Sequence, residues 1–153
     1  MIREIHDPAD KTAIARHILE NLPEWFGLPE SREQYISDSA LQIMVADFDN
    51  GIPRGFICLK QTGDATVELA VMGVLKEYHR IGIGRKLFDA AKAIAREHGY
   101  SFLQVKTVKM GMYEEYDITN LFYLSMGFSE FELIPELWDE ANPCQIYIMY
   151  IGK

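Results

Sequence analysis

Val67-Glu68-Leu69-Ala70-Val71-Met72-Gly73-Val74, followed by Leu75-Lys76-Glu77-Tyr78-His79-Arg80-Ile81-Gly82-Ile83-Gly84-Arg85-Lys86-Leu87, is the stretch that organises this chain. Its first half is a near-continuous run of β-branched and apolar residues, which predicts a strand. Its second half opens a helix: Leu87, Phe88, Ala91, Ile94 and Ala95 fall at i, i+1, i+4, i+7 and i+8 and make one face apolar. Gly99 follows as the C-terminal stop. The turn between them carries Gly82 and Gly84 beside Arg80, Arg85 and Lys86. The first amides of a helix have no intrahelical acceptor and sit at the positive end of its dipole, so such a turn is suited to an anion. A lone Gly-x-Gly also fits a plain strand-to-helix turn. Two phosphate signatures fail. A dinucleotide fingerprint needs a third glycine where Leu87 stands. A P-loop needs Gly-Lys-Ser/Thr, which occurs nowhere. A pyrophosphate loop of the form Q/R-x-x-G-x-G/A fits, as His79-Arg80-Ile81-Gly82-Ile83-Gly84.

With these residues the chain resembles the GNAT superfamily of acyl-CoA-dependent N-acyltransferases. A second motif, Asn120-Leu121-Phe122-Tyr123-Leu124-Ser125-Met126-Gly127-Phe128, is similar to the family's Phe-Tyr-x-x-x-Gly-Phe helix. The ending, with Leu137-Trp138 and Asn142-Pro143-Cys144, resembles small single-domain bacterial members whose acceptors are mostly unassigned. One departure is that His79 stands where the family usually has Gln or Arg. The resemblance implies a splayed pair of central strands whose cleft admits a pantetheine arm.

Outward from the central stretch, residues 1–6 read as a strand, and Asp7 caps a helix with Pro8 at its first position, running to about residue 21. Leu22-Pro23-Glu24-Trp25-Phe26-Gly27-Leu28 breaks that helix, yet holds two large aromatic groups; a short helix over 29–37 follows. Residues 41–47 and 54–61 are strands joined by Asp49-Asn50-Gly51, a hairpin signal. Residues 101–108 form a buried strand, 109–116 a loop, and 117–126 a helix stopped by Gly127. Residues 128–134 and 145–151 are the last strands, and the polar, proline-bearing 135–144 between them is expected to be irregular. The fold class is therefore α/β (α+β): a mixed, mostly antiparallel sheet of six to seven strands flanked by about four helices, in a single domain over 1–153.

At 153 residues, 48% apolar and 25% charged, the chain reads as an ordinary globular protein. Its net charge of −8 argues against nonspecific binding of nucleic acid or anionic membrane. No apolar run reaches the ~20 residues of a membrane span or a signal-peptide core, so a cytoplasmic site is the default expectation. Cys58 and Cys144 read as reduced, buried thiols, not as a disulfide framework. His6, His17, His79 and His98 lack ligand spacing, so no metal is expected.

Acyl transfer from a thioester to an amine needs a proton acceptor, an oxyanion donor and support for the departing thiolate. Glu68, the one carboxylate in an apolar strand, is the candidate base, and the resemblance matches it to a strand glutamate that serves so in some members; the other reading is a solvated strand charge. Tyr123 is the candidate acid, since GNAT enzymes commonly place a tyrosine there near the CoA sulfur; the other reading is a core aromatic. Oxyanion and pantetheine contacts are expected from the backbone of Met72, Gly73 and Val74. Pyrophosphate contacts are expected from His79, Arg80, Ile81, Gly82, Ile83, Gly84, Arg85 and Lys86. The family often has an Asn eleven residues before its Gly-Phe pair; here that position is Tyr116, with Asn120 one turn later, and Asn120 is the residue carried over to CoA. Glu24, Trp25 and Phe26 are expected to shape the acceptor pocket. The resemblance thus implies an N-acetyltransferase moving acetyl from acetyl-CoA to a primary amine by direct transfer. The alternative is a non-catalytic acyl-CoA-binding regulatory module. GNAT proteins are often dimers, which makes a homodimer part of what the resemblance implies.

Overall fold

The computed structural model describes residues 1–152. Seven strands form one sheet in the order β1-β2-β3-β4-β5-β7-β6, with four α-helices laid on it. The elements run β1 (Ile2–Ile5), α1 (Pro8–Leu19), α2 (Pro29–Ser39), β2 (Ile43–Asp49), β3 (Ile52–Gln61), β4 (Thr66–Val74), a 3₁₀ turn (Lys76–Tyr78), α3 (Ile83–Glu97), β5 (Phe102–Val108), α4 (Glu114–Met126), β6 (Ser129–Asp139) and β7 (Asn142–Tyr150). Every neighbouring pair is antiparallel except β4–β5, which is parallel. This is the mixed, mostly antiparallel sheet that the pattern implied.

Local chemistry explains the element ends. The Asp7 carboxylate accepts from the Asp10 amide at 3.3 Å and caps α1, with proline at the first position. Asn50 and Gly51 both have positive φ, as a two-residue hairpin between β2 and β3 requires. The apolar face of α3 buries Leu87, Phe88, Ala91 and Ala95 against one side of the sheet. The opposite side is covered by α1 and α2, whose Ile14, Ile18, Leu19 and Ile36 meet Met44, Ala46 and Phe56. Alternation along β2 sorts Val45 to the first core and Met44 and Ala46 to the second.

Two expectations fail. The irregular loop over 135–144 is instead the far end of a long hairpin, with β6 reaching Asp139 and β7 starting at Asn142. The register shifts between Ile134 and Asp139, and that irregularity absorbs Pro135 on an edge strand where its missing N–H is tolerated. The fourth helix begins at Glu114, not at residue 117, so the preceding loop is shorter. Glu114, Glu115 and Asp117 all lie in its first turn, where carboxylates favour the helix dipole. Asp117 also accepts from the Gly111 amide at 2.6 Å.

Candidate active site

The site grows from β4. Its pairing with β3 slips between Cys58 and Leu59: Leu59 faces Leu69 while Cys58 faces Val71, which leaves Ala70 as a bulge. The bulge exchanges the faces of the strand. Val67 and Leu69 pack into the core under α3, whereas Val71 packs into the core under α1. Glu68 therefore looks toward the α1–α2 side.

β4 pairs with β5 through three rungs only, Thr66–Phe102, Val67–Leu103 and Glu68–Gln104. Beyond Glu68 the two strands part, so the sheet holds a V-shaped cleft at its centre. The Leu75 amide donates across to Arg54 O at 2.9 Å on the β3 side. Strand alternation then turns the Gly73 amide toward β3 and leaves the Met72 and Val74 amides facing the cleft. Gly73, expected at the cofactor, has a different place. A Cβ there would stand 2.9 Å from Ile18 Cγ2 and 3.1 Å from Leu22 Cδ1, so its bareness lets α1 close on the strand.

At the open end of the cleft lies the glycine turn. Arg80 has φ +65 and Gly82 has φ +87, two left-handed residues with Ile81 between them. The first helical bond of α3 runs from the Lys86 amide to Gly82 O at 3.1 Å. Among the described residues, no backbone acceptor takes the amides from Arg80 to Arg85. Six donors in succession, with Arg80, Arg85 and Lys86 exposed around them, make an anion cradle. The two glycines differ. Gly82 opens onto free space, whereas a Cβ on Gly84 would stand 3.2 Å from Met72 Cε and 3.3 Å from Phe122 Cε2. Gly84 therefore serves the approach of α3 to β4 and α4. His79 does not turn into the cradle. Its Nε2 donates to Val74 O at 2.6 Å, and its ring meets Trp25 edge-on at 5.9 Å.

At the apex of the V, Glu68 is ion-paired with Lys106 of β5, and both side chains are largely buried. Lys106 sits just past the last rung and reaches back to close it. The tyrosines nearby come from separate elements. Burial pushes the Tyr35 hydroxyl of α2 up in pKa, and Tyr116 and Glu68 push the same way. Burial likewise raises Tyr116. Tyr123 of α4 is buried among Phe122, Phe128 and Tyr147, with ring centroids 5.7–6.2 Å away. Burial holds its phenol protonated well above the usual tyrosine range, with a smaller push from Tyr35. Its hydroxyl has no hydrogen-bond partner among the described residues, so its proton is free for a ligand.

The remaining expected residues are committed within the protein. Asn120 is fully buried: its amide donates to Val108 O at 2.8 Å and Tyr116 O at 2.6 Å, and its oxygen accepts from the Tyr147 hydroxyl at 2.6 Å. It orients α4 on the sheet, with no group left for a cofactor. Glu24 is ion-paired with Lys76, whose hydrogen bond lowers the carboxylate's pKa. Trp25 Nε1 donates to Glu115 O at 3.3 Å, and Phe26 packs edge-on to Tyr35 at 5.7 Å. The 20–28 loop thus straps the glycine turn to α4 and α2 and forms a wall beside the cleft. Lys106 and Tyr35 were not anticipated. Lys106 carried a signal, being the one charge in a buried strand next to a strand with one acid. Tyr35, in a polar helix, carried none.

Elsewhere, Cys58 and Cys144 are free and buried, and burial pushes the Cys58 thiol up to about 12. Among the described residues no helix is long and apolar enough to cross a membrane. A concavity of about 480 Å³ lies at the far edge of the sheet between β1 and α1, away from the cleft.

Residues 39–130 match the family model of the acetyltransferase (GNAT) domain. The chain is similar in structure to a GNAT-family acetyltransferase structure from Desulfovibrio desulfuricans, with a TM-score of 0.86 at 20% identity over 99% of this chain and 98% of that one. It is similar to yncA of Salmonella typhimurium, seen with its cofactor acetyl-CoA, with a TM-score of 0.74 at 17% identity over 100% and 94% of the two chains. The aminoglycoside 6'-N-acetyltransferase from Enterococcus faecium gives 0.75 at 16% identity over 99% and 97%. At these identities the likeness is one of fold.

Proposed function

Because the chain belongs to the GNAT acetyltransferase family, we propose that it moves an acetyl group from acetyl-CoA to a primary amine of a small molecule or peptide within a ternary complex. The observation that carries this reading is the cleft: β4 leaves β5 after Glu68, and its free Met72 and Val74 amides lead to the cradle at residues 80–85. The residues present fit the donor. The cradle and its three cations match a pyrophosphate, and an extended amide-bearing arm pairs with the bare strand edge as an added strand would.

Acetyl-CoA supplies an activated acyl carbon and a thiolate leaving group. Glu68 accepts the proton of the attacking amine, directly or through one water. The Lys106 ammonium beside it disfavours a second positive charge, which keeps the amine in its neutral, nucleophilic form. As the nitrogen–carbon bond forms, the cleft-facing Met72 and Val74 amides donate to the developing oxyanion. As the carbon–sulfur bond breaks, Tyr123 donates a hydrogen bond to the thiolate. Burial raises the phenol above an ordinary thiol, so a hydrogen bond is favoured over full proton transfer. Trp25 and Phe26 wall the acceptor side. Asn120 holds α4, and so Tyr123, in place.

Calorimetric titration with acetyl-CoA, with NAD and ATP as controls, tests the reading. Binding of acetyl-CoA alone, weakened by Gly84→Leu, is expected, followed by transfer in a screen of amines. Absence of binding to any CoA thioester overturns it.

A further inference from the structure

Charge is unevenly distributed along this chain. Residues 1–109 carry fourteen basic and fifteen acidic residues, whereas residues 110–152 carry eight acidic residues and no lysine or arginine. The acid-only segment builds α4, β6 and β7. Five of its carboxylates fall on β6 and the turn after it. That strand is also the free edge of the sheet, and ten of its eleven residues are exposed.

Exposed with them are apolar side chains that an edge strand ordinarily avoids. Phe131 is 63% exposed, Trp138 48%, Leu137 47% and Leu133 40%. The opposite edge, β1, is different: it is four residues long and Arg3 is its one exposed residue. The hairpin tip is held firmly. The Tyr113 hydroxyl donates to Ala141 O at 3.1 Å, and the Lys109 amide donates to Pro143 O at 2.9 Å. A long, supported strand edge that is both apolar and acidic presents unpaired backbone groups, greasy contacts and a single sign of charge together.

We infer that the free edge of β6 docks a basic polypeptide segment in extended form, which adds to the sheet as an eighth strand. Its backbone takes the open ladder positions, its alternate apolar residues cover Phe131 and Leu133, and its lysines or arginines answer the carboxylates. A second copy of this chain fits less well. Two β6 edges paired antiparallel about Ile134 set Glu132 opposite Glu136, and in any register two strands with four acids and no base face each other, which is destabilising. The docking stands apart from the acetyl-transfer reading, because nothing in it involves the cleft.

The test uses a fluorescein-labelled decapeptide alternating lysine and valine, titrated with the full chain and followed by anisotropy, without acetyl-CoA. Saturable binding is expected, at least about tenfold tighter than for a glutamate–valine peptide and weakened as salt is raised. Glu132→Lys/Glu136→Lys should weaken it about tenfold or more. Phe131→Ser/Trp138→Ser should weaken it without changing the salt dependence, with folding of both variants checked by circular dichroism. Equal binding of the two peptides, or no loss on charge reversal, overturns the inference. So does sedimentation showing a dimer that Phe131→Ser/Trp138→Ser converts to a monomer, because the edge is then occupied by a second copy.

Discussion

The two ends of β4 share one backbone and do opposite things. From Thr66 to Glu68 the strand is paired on both sides, to β3 and to β5. From Met72 to Val74 it is paired to β3 alone, and its other edge faces the cleft. The bulge at Ala70 separates the two regimes and swaps the faces of the strand, so one end packs under α3 and the other under α1. The lesson is that an open strand edge need not sit at the margin of a sheet. It is made inside one by parting two strands, with the paired end holding the unpaired end rigid. Glu68 stands at the boundary, in the last paired rung, with Lys106 closing it.

The sharpest way to break the comparison is at that boundary. Glu68→Gln should lower kcat by about 10²–10⁴-fold, the usual range for loss of a general base, with little change in the KM for acetyl-CoA. A steady-state assay reading less than a threefold loss would move the proton to a water chain. Lys106→Met separates support from chemistry: it should raise the apparent pKa of the acid limb of kcat at saturating amine, since the cation that opposes protonation of the bound amine is gone. The next effect belongs to Tyr123. Tyr123→Phe should cost about 10²–10³-fold in kcat, comparable to removing one donor to a developing anion. Because burial holds the phenol protonated through the alkaline range, Tyr123 should contribute no alkaline limb below about pH 10. A limb that disappears in Tyr123→Phe would contradict that assignment.

Much of this was legible in the sequence where the signal is local. The alternating and helical periods placed β4 and α3 to within a residue or two, and the cationic Gly-x-Gly turn marked the cradle. What could not be read depends on which element lies against which. Gly82 and Gly84 look alike in the chain, yet one opens onto solvent and the other onto Met72 and Phe122. Asn120 looks like a ligand residue, yet three hydrogen bonds consume it, one within its own helix and two to β5 and β7. The register slip around Pro135 hid half of a hairpin, because proline signals a break only when the strand is not an edge. The Glu68–Lys106 pair joins strands 38 positions apart, a separation no periodicity crosses.

The glycine pair sharpens the contrast at the cradle, with smaller effects. Gly84→Val forces a methyl-bearing carbon against two side chains, an overpacking cost of about 1–3 kcal/mol, and should weaken acetyl-CoA about tenfold by tilting α3. Gly82→Ala meets no atom and carries only the left-handed strain of about 1 kcal/mol, so a shift of roughly fivefold or less is expected in the same titration.

The smallest effect on activity should come from the fully paired half of the sheet, which supplies the control. Asp47 of β2 is buried and accepts from Arg54 Nε at 2.7 Å. Burial alone would raise its pKa, but the hydrogen bonds from Arg54 and from the amino terminus outweigh that and hold it low. Its stabilising contribution is therefore complete above the unfolded carboxylate value near pH 4, and is lost as pH falls through the lower folded value. Asp47→Asn should destabilise the chain by about 1–3 kcal/mol at pH 7, measured by urea unfolding, and by clearly less near pH 2, while kcat and KM at pH 7 stay unchanged. An activity loss in Asp47→Asn comparable to that of Tyr123→Phe would mean that the paired half does more than hold the cleft open, and the division drawn along β4 would fail.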